Sequence, residues 1–349
     1  MTYVRRLADV GVGDQTAGGK MTRLAELARA GLTVPDAFVV TTDAFRAVAS
    51  VCDLSAALDR ELTGVHADDL PALAAAEQRL RDHLASAPLP PDIADAITAA
   101  YDALCAANRE ALLPVAVRSS ATTEDAVAAS SAGQYDTYLG LAGAPAVLEG
   151  VLRCWGSLFG ARALSYRIRS GLSHADLKMA VGVMELVHAR TSGVAFSLNP
   201  VTGRRDRIVV EATFGFGEAL VQGQVIPDHI EVGRTDRRLL TYSVGDKRIV
   251  STMDHRAGRV VEIDMPRPMR ALRVLTDDEI ASLVDTVLAA EEVLGAPADV
   301  EWVIPRSYRV GDAVTLVQAR PVTTTESRPA PGWDVAASAL RHAFKETPR

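Results

Sequence analysis

Lysine is the scarcest charged residue of this 349-residue chain: four, at Lys20, Lys178, Lys247 and Lys345, stand against 33 arginines. Arginine meets the general need for positive charge, so a lysine kept in the glycine-rich turn Gly18-Gly19-Lys20 requires its own reason. Cysteine is as sparse. Cys52, Cys105 and Cys154 are odd in number, far apart and set among helix formers, which argues against a disulfide framework and a zinc site and leaves buried thiols. Net positive charge is missing too. The formal charge is −7, without the basic field that drives non-specific nucleic-acid binding. No window approaches about 18 uninterrupted apolar residues, and the start MTYVRRLADV runs into Gly11, Gly13 and Asp14 without an apolar signal-peptide core. These absences point to a soluble, cytoplasmic protein with neither a nucleic-acid nor a membrane partner. The seven histidines are scattered, with no HExxH or Cys/His spacing, and there is no GxSxG, so neither a metal-ligand cluster nor nucleophilic hydrolysis is indicated.

What remains is the composition of a globular protein, 48% hydrophobic and 23% charged, long enough for two to three domains at roughly 150 residues each. The first hundred residues read as helical. Lys20 to Ala30 has a helical apolar stripe ending at Gly31, Phe38 to Val40 is a short strand, Thr42-Asp43 caps the next helix, and 54–62, 68–86 and 91–112 are alanine-rich helices. From Pro114 an apolar strand ends at Arg118 and opens into the small polar loop RSSATTEDAVAASSAGQ, closed by a strand at Tyr135 to Leu139. A long helix is expected over 145–169, and strands over 179–187, 192–197, 207–213 and 227–232. Thr276 and Glu279 form a capping box for a helix that stops at Gly295, and a hairpin over 299–304 and 313–319 follows. The fold class is α+β.

Three constellations carry chemistry. Gly18-Gly19-Lys20 opens a helix, placing backbone N–H groups and the positive end of a helix dipole beside an ammonium; the spacing is not that of a P-loop. In Arg118-Ser119-Ser120 and the loop beyond it, small residues let amides approach a polyphosphate and the arginine supplies a charge-assisted fork. In the hairpin, strand alternation puts Glu301 and Gln318 on one face with Asp299 facing Arg320, hard oxygen donors of the kind that hold Mg²⁺ against phosphate. Each also has a plain structural reading: a solvated turn, a solvent loop, a cross-strand polar pair.

As a set, GGKMTRLAEL (18–27), LTVPDAFVVTTDAF (32–45), VAVRSSATTED (115–125), SAGQYDTYL (131–139), CWGSLFGARALSYR (154–167), SGVAFSLNPVTG (192–203), EATFGFGEALVQGQVIPDHIEV (211–232), GDKRI (245–249) and VEWVI with LVQARPVT (300–323) resemble one family in order and in content. It is the ATP-binding domain, of ATP-grasp type, shared by phosphoenolpyruvate synthase, pyruvate phosphate dikinase and rifampin phosphotransferase. The resemblance implies an ATP-grasp-like fold with a helix-rich N-terminal subdomain (1–186), a β-rich C-terminal subdomain (187–323), the nucleotide between them, and a linker-like tail (324–349). It implies that Lys20 and Arg118 contact the ATP phosphates, that Gly133 and Thr137 help close the pocket, that Glu301 and Gln318 hold Mg²⁺, and that Arg320 approaches the terminal phosphates. Two positions depart from the family. Val183-Met184-Glu185-Leu186 stands where a glutamine is frequent, leaving the backbone of Glu185 to Val187 for the adenine, and Asn199 stands where relatives carry aspartate.

Proteins of this family cleave ATP to AMP, pass the β-phosphoryl group to a histidine on a mobile domain and release the γ-phosphate. No histidine here lies in a Thr-x-Gly-Gly…His motif. The resemblance therefore implies a free-standing ATP-binding phosphotransferase subunit. Its partners would be a separate phosphohistidine-domain protein and an acceptor-binding subunit, and its final acceptor a small molecule. A direct small-molecule kinase or ligase and a non-catalytic nucleotide-binding regulatory module stand beside it.

Overall fold

Short apolar segments bounded by turn residues assemble into two larger antiparallel sheets and a two-stranded ribbon in the computed structural model, which describes residues 2–121, 135–171, 177–254 and 258–322. The expected loop at 122–134, which contains Gly133, and the tail at 324–349 lie outside the described residues. The chain divides into two compact units, Met1–Ala25 with Asp36–Leu186, and Glu26–Pro35 with the chain from Val187 onward.

The first unit holds β1 (Val4–Arg6), most of α1 (Gly18–Arg29), β2 (Ala37–Val40), α2 (Thr42–Val51), α3 (Leu54–Leu62), α4 (Leu70–Ala85), α5 (Pro91–Asn108), β3 (Val115–Ala121), β4 (Thr137–Leu141), α6 (Ala144–Gly156), α7 (Ala161–Arg169) and β5 (Met179–Glu185). Its strands pair in the order β1-β2-β5-β3-β4. The helices bury Leu73, Leu80, Leu84, Ile93 and Ile97 with Val115, Val117, Val181 and Val183 of the sheet. Trp155 is fully buried at the centre, its indole N–H donating to the Met179 carbonyl at 3.1 Å and its ring edge-on to Phe45.

Four sequence expectations are corrected here. The helix expected over 145–169 is broken: α6 stops at Gly156, one 3₁₀ turn follows, and Gly160 is extended before α7 begins. The break is satisfied by side chains, since the buried Arg167 guanidinium of α7 donates to the Leu158 carbonyl and Glu77 of α4 accepts from the Ala161 N–H at 2.8 Å. The strand expected to end at Arg118 continues to Ala121, because Ser119 and Ser120 pair with Val181 and Ala180 and are fully buried. Its partner strand is Thr137–Leu141, two residues later than expected. Thr41, not Thr42, is the cap position of α2, and its hydroxyl donates to the Thr2 carbonyl instead of capping.

The second unit is built on a six-stranded sheet of order β13-β12-β6-β7-β8-β9, formed by β6 (Ala189–Phe196), β7 (Arg207–Phe214), β8 (Asp228–Gly233), β9 (Leu239–Ser243), β12 (Ala298–Pro305) and β13 (Thr315–Pro321). The turn α8 (Glu218–Val221), the ribbon of β10 (Ile249–Asp254) and β11 (Arg259–Asp264), the turn α9 (Arg267–Arg270) and α10 (Asp277–Leu294) complete it. α10 has the expected capping box and a left-handed Gly295 at its end, and it packs on β12 and β13. β9, β10 and β11 were not legible beforehand, since Leu239 to Ser243 alternates little and is largely exposed. Among the described residues, no helix is long and apolar enough to cross a membrane.

Candidate functional site

Within the first unit the α1 turn and β3 meet at close range. Gly18 has φ +70° and its Cα faces the Ser120 carbonyl so closely that a Cβ would lie 1.9 Å from that oxygen. Ser120 Oγ then accepts the Met21 N–H at 3.2 Å. On β5, Gly182 stands opposite Arg118, and a Cβ there would lie 2.3 Å from Met21 Sδ. Two glycines thus let the helix that bears Lys20 settle on the strand that bears Arg118, with Ser120 as the clasp. Arg118 is buried, Lys20 half-buried, and Thr137 is exposed directly opposite Arg118. Both cations act on the same thiol: burial first and Asp136 next push Cys154 far above the usual range, while Lys20, Arg153 and Arg118 pull it back. Gly18→Ala is expected to destabilise the fold by at least about 2 kcal/mol through clash and left-handed strain. Gly13→Ala, at φ +67° but with nothing near its Cβ, carries only the strain, about 1–2 kcal/mol. Equal losses in thermal unfolding would show that the close approach is unimportant.

Glu185 ends β5, and burial followed by Asp36 and Glu110 raises its carboxyl above the usual range. Its N–H donates to the Asp36 carbonyl at 2.8 Å and the Leu186 N–H to the Pro114 carbonyl at 2.9 Å. Val187, half-buried, has no backbone partner for its N–H among the described residues. Met184 is buried inside the sheet.

In the second unit, Glu301 pairs with Gln318 and Asp299 with Arg320. A bulge follows immediately between Glu301 and Trp302, the kind of irregularity that re-aims neighbouring side chains. Arg320 donates through two nitrogens, each at 2.7 Å, to one oxygen of Asp299. Burial raises the Asp299 carboxyl, Arg320 opposes that, and Glu301 adds to it. Gln318 is 9% exposed and Glu301 half-buried. A carboxylate and an amide oxygen side by side suit Mg²⁺, which takes few protein ligands and keeps positions for phosphate and water. No group of three or more His, Cys, Asp or Glu able to hold a metal occurs among the described residues.

Sequence reasoning missed three features. Lys247, one of the four lysines, is fully buried against an equally buried Asp228. Asp228 also accepts from the Gly245 N–H, the Tyr242 hydroxyl and the Val274 N–H. Asn199 builds its own turn, accepting from the N–H groups of Val201 and Thr202, and its amide nitrogen donates to Glu231 at 3.2 Å; an aspartate here would face that carboxylate. His229 pairs with Glu211 on the adjacent strand. The Gly-Asp-Lys and Pro-Asp-His triplets are the sequence signals behind the first and third.

Comparison with known proteins places these segments in context. The family described as "Pyruvate phosphate dikinase, AMP/ATP-binding domain" matches residues 14–335. The chain is 40% identical over 316 residues to a probable phosphoenolpyruvate synthase of Methanothermobacter thermautotrophicus, covering 90% of this chain and 44% of that protein. It is 39% identical to a rifampicin phosphotransferase of a Streptomyces species, covering 88% of this chain and 34% of the relative. A phosphoenolpyruvate synthase of Pseudomonas aeruginosa is 35% identical, with 92% and 42% covered. The chain spans less than half the length of each of these relatives.

Proposed function

The chain belongs to the pyruvate phosphate dikinase AMP/ATP-binding domain family, and from that premise we propose that it is the ATP-dependent phosphotransferase part of a dikinase-type enzyme. It binds Mg-ATP, cleaves it to AMP and phosphate, and passes a phosphoryl group to a histidine of a partner domain and thence to a small molecule. Supporting the reading above all is the pairing of Glu301 with Gln318 beside Asp299 and Arg320. Lys20 and Arg118, clasped through Ser120, serve the phosphates, as does Arg320, and Thr137, opposite Arg118, serves the same pocket; Gly133, given the same role, lies outside the described residues. The Val187 N–H and the carbonyl oxygens of Glu185 to Val187 serve the base. Mg²⁺, when bound by Glu301 and Gln318, neutralises phosphate charge and orients the oxygens. The residues do the rest by position: Arg320 is held by Asp299, and Arg118 by the β-sheet around it.

Calorimetry and product analysis test this together. Lys20→Ala and Arg118→Ala are each expected to weaken ATP binding by about 1.5–3 kcal/mol, the range for charge-assisted contacts, or roughly ten- to a hundredfold. Labelled ATP should turn over slowly with the isolated chain and yield AMP and phosphate rapidly once a partner bearing the acceptor histidine is added. Wild-type affinity in both variants overturns the phosphate assignment. Rapid phosphorylation of a small molecule with no other protein present replaces this reading with the direct kinase.

A further inference from the structure

On one side α10 borders two cavities instead of packed side chains. Ile280, Ala281, Val284, Leu288 and Gly295 recur at helical spacing along that side, and the connection between β8 and β9 faces them. The first cavity, of about 280 Å³, is walled on the sheet side by Val232 and Leu239. The second, of about 490 Å³, runs past the end of the helix to Ala296 and Pro297. Arg237 lines both, so the two form one groove.

The first cavity has an apolar floor and a charged rim. Val232 and Val284 are buried, whereas Leu239 is 42% exposed and Ala281 is exposed as well. On the rim Arg237 pairs with Asp285 at 3.0 Å, and Asp277 stands at the start of α10. Arg237 has a left-handed backbone, φ +57°, uncommon for a residue of its kind, and it sets the guanidinium between the two cavities. Such a site suits an indole: an apolar ring for the aliphatic walls, an N–H for an aspartate, and a π face for a guanidinium. A phenyl ring lacks the donor.

The chain itself delivers an indole to this place. Val322 follows β13 and donates its N–H to the carbonyl of Pro297 at 2.6 Å, so the chain leaves the sheet at the end of the groove that Pro297 lines. Residues 323–349 lie outside the described residues, and their sequence carries the match. Trp333 stands eleven positions beyond Val322, after a stretch with prolines at 329 and 331. Such a stretch spans up to roughly 34 Å at about 3.1 Å per residue. From Gly295 back to Ala281 along α10 is only about 21 Å at 1.5 Å per residue. Glu326 and Arg328 would pass the second cavity, whose walls carry both signs in the exposed Arg205 and Glu292. Beyond Trp333, Ala337, Leu340 and Phe344 recur at i+4, i+7 and i+11, one apolar face of a helical pattern.

We propose that the groove beside α10 is the docking site of this chain's own tail, with the Trp333 indole in the first cavity, its N–H donating to Asp277 or Asp285 and its face toward Arg237. The docking is intramolecular, because a short tether gives the indole an effective concentration in the millimolar range, far above what a second copy supplies in dilute solution. Neither cavity holds a residue assigned to nucleotide or metal, so this inference stands apart from the function proposed above.

Tryptophan fluorescence of the full chain is the test. Of its three tryptophans, Trp155 and Trp302 are fully buried, and the difference between wild type and Trp333→Phe isolates the emission of Trp333. In dilute solution that emission should lie at shorter wavelength than that of a synthetic peptide of residues 323–349, and acrylamide should quench it several-fold less. Ala281→Phe fills the mouth of the first cavity and Leu239→Asp puts a carboxylate into it. Both positions are exposed, so the fold should survive, with circular dichroism as the check. Each variant should return Trp333 to the quenching of the peptide. Peptide-like quenching in the wild type overturns the docking, and protection that survives both variants overturns the groove as its site. Protection that appears only at concentrations where sedimentation shows a dimer gives the groove to a second copy's tail and overturns the intramolecular assignment.

Discussion

Lys247→Met is expected to lower the stability of the second unit by about 3–5 kcal/mol, the cost of leaving one buried charge without its partner. Lys247 and Asp228 are both 0% exposed. The ammonium donates to Asp228 and to the Gly245 carbonyl at 3.0 Å and lies 5.7 Å from the Phe214 ring centre. Removing it keeps three neutral donors on Asp228, the Gly245 and Val274 N–H groups and the Tyr242 hydroxyl, but no counter-charge. These contacts join the start of β8, the end of β9, the segment before β10 and the chain entering α10, so the loss should spread beyond one side chain. Replacing both partners by apolar residues should recover a substantial part of it, since a well-packed apolar pair frequently equals a buried ion pair. Urea unfolding at neutral pH of the single and double variants measures this. A loss below about 1 kcal/mol in Lys247→Met would place the pair among interactions worth no more than a surface salt bridge.

Glu301→Gln is expected to leave the fold intact and to reduce Mg²⁺-dependent turnover by about a hundredfold or more. Glutamine matches the shape of glutamate, and the strand pairing of Glu301 with Gln318 and Val194 is made by backbone groups. What changes is one unit of negative charge on a hard oxygen donor, which the proposed function makes a Mg²⁺ ligand; metal-assisted charge stabilisation is worth several kcal/mol. The lost charge should also raise the Mg²⁺ concentration needed for half-maximal rate. Turnover measured over a Mg²⁺ series, with circular dichroism as the check on folding, decides it. Full activity at limiting Mg²⁺ would mean that this row of the sheet is structural.

The second prediction rests on residues that could be read from the sequence, the first on a residue that could not. The Glu301–Gln318 and Asp299–Arg320 pairings follow from alternation along a hairpin, because an antiparallel ladder fixes which residues face each other once the turn is placed. The GGK turn opening a helix and the arginine on an apolar strand were legible for the same kind of reason: glycine freedom and strand periodicity are local. Lys247 sits in a Gly-Asp-Lys segment, and its burial depends on Asp228, Tyr242 and Val274 arriving from three other segments. The break in the 145–169 helix was hidden likewise, since Arg167 and Glu77 must first be in place to satisfy the freed backbone groups.

The sequence by itself determined the α+β class, the stop of the last helix at Gly295, the family, and the residue types that the proposed function assigns to phosphate and metal. Each is set by neighbours within a few positions or by motifs in fixed order. Only the tertiary structure decided that Ser120 clasps the helix bearing Lys20 to the strand bearing Arg118, that Lys247 is a buried structural cation, and that Glu211 and His229 share a row with Glu301 and Gln318. Those are contacts between residues far apart along the chain. Their register and burial are fixed by packing and sheet order, which local propensity does not encode.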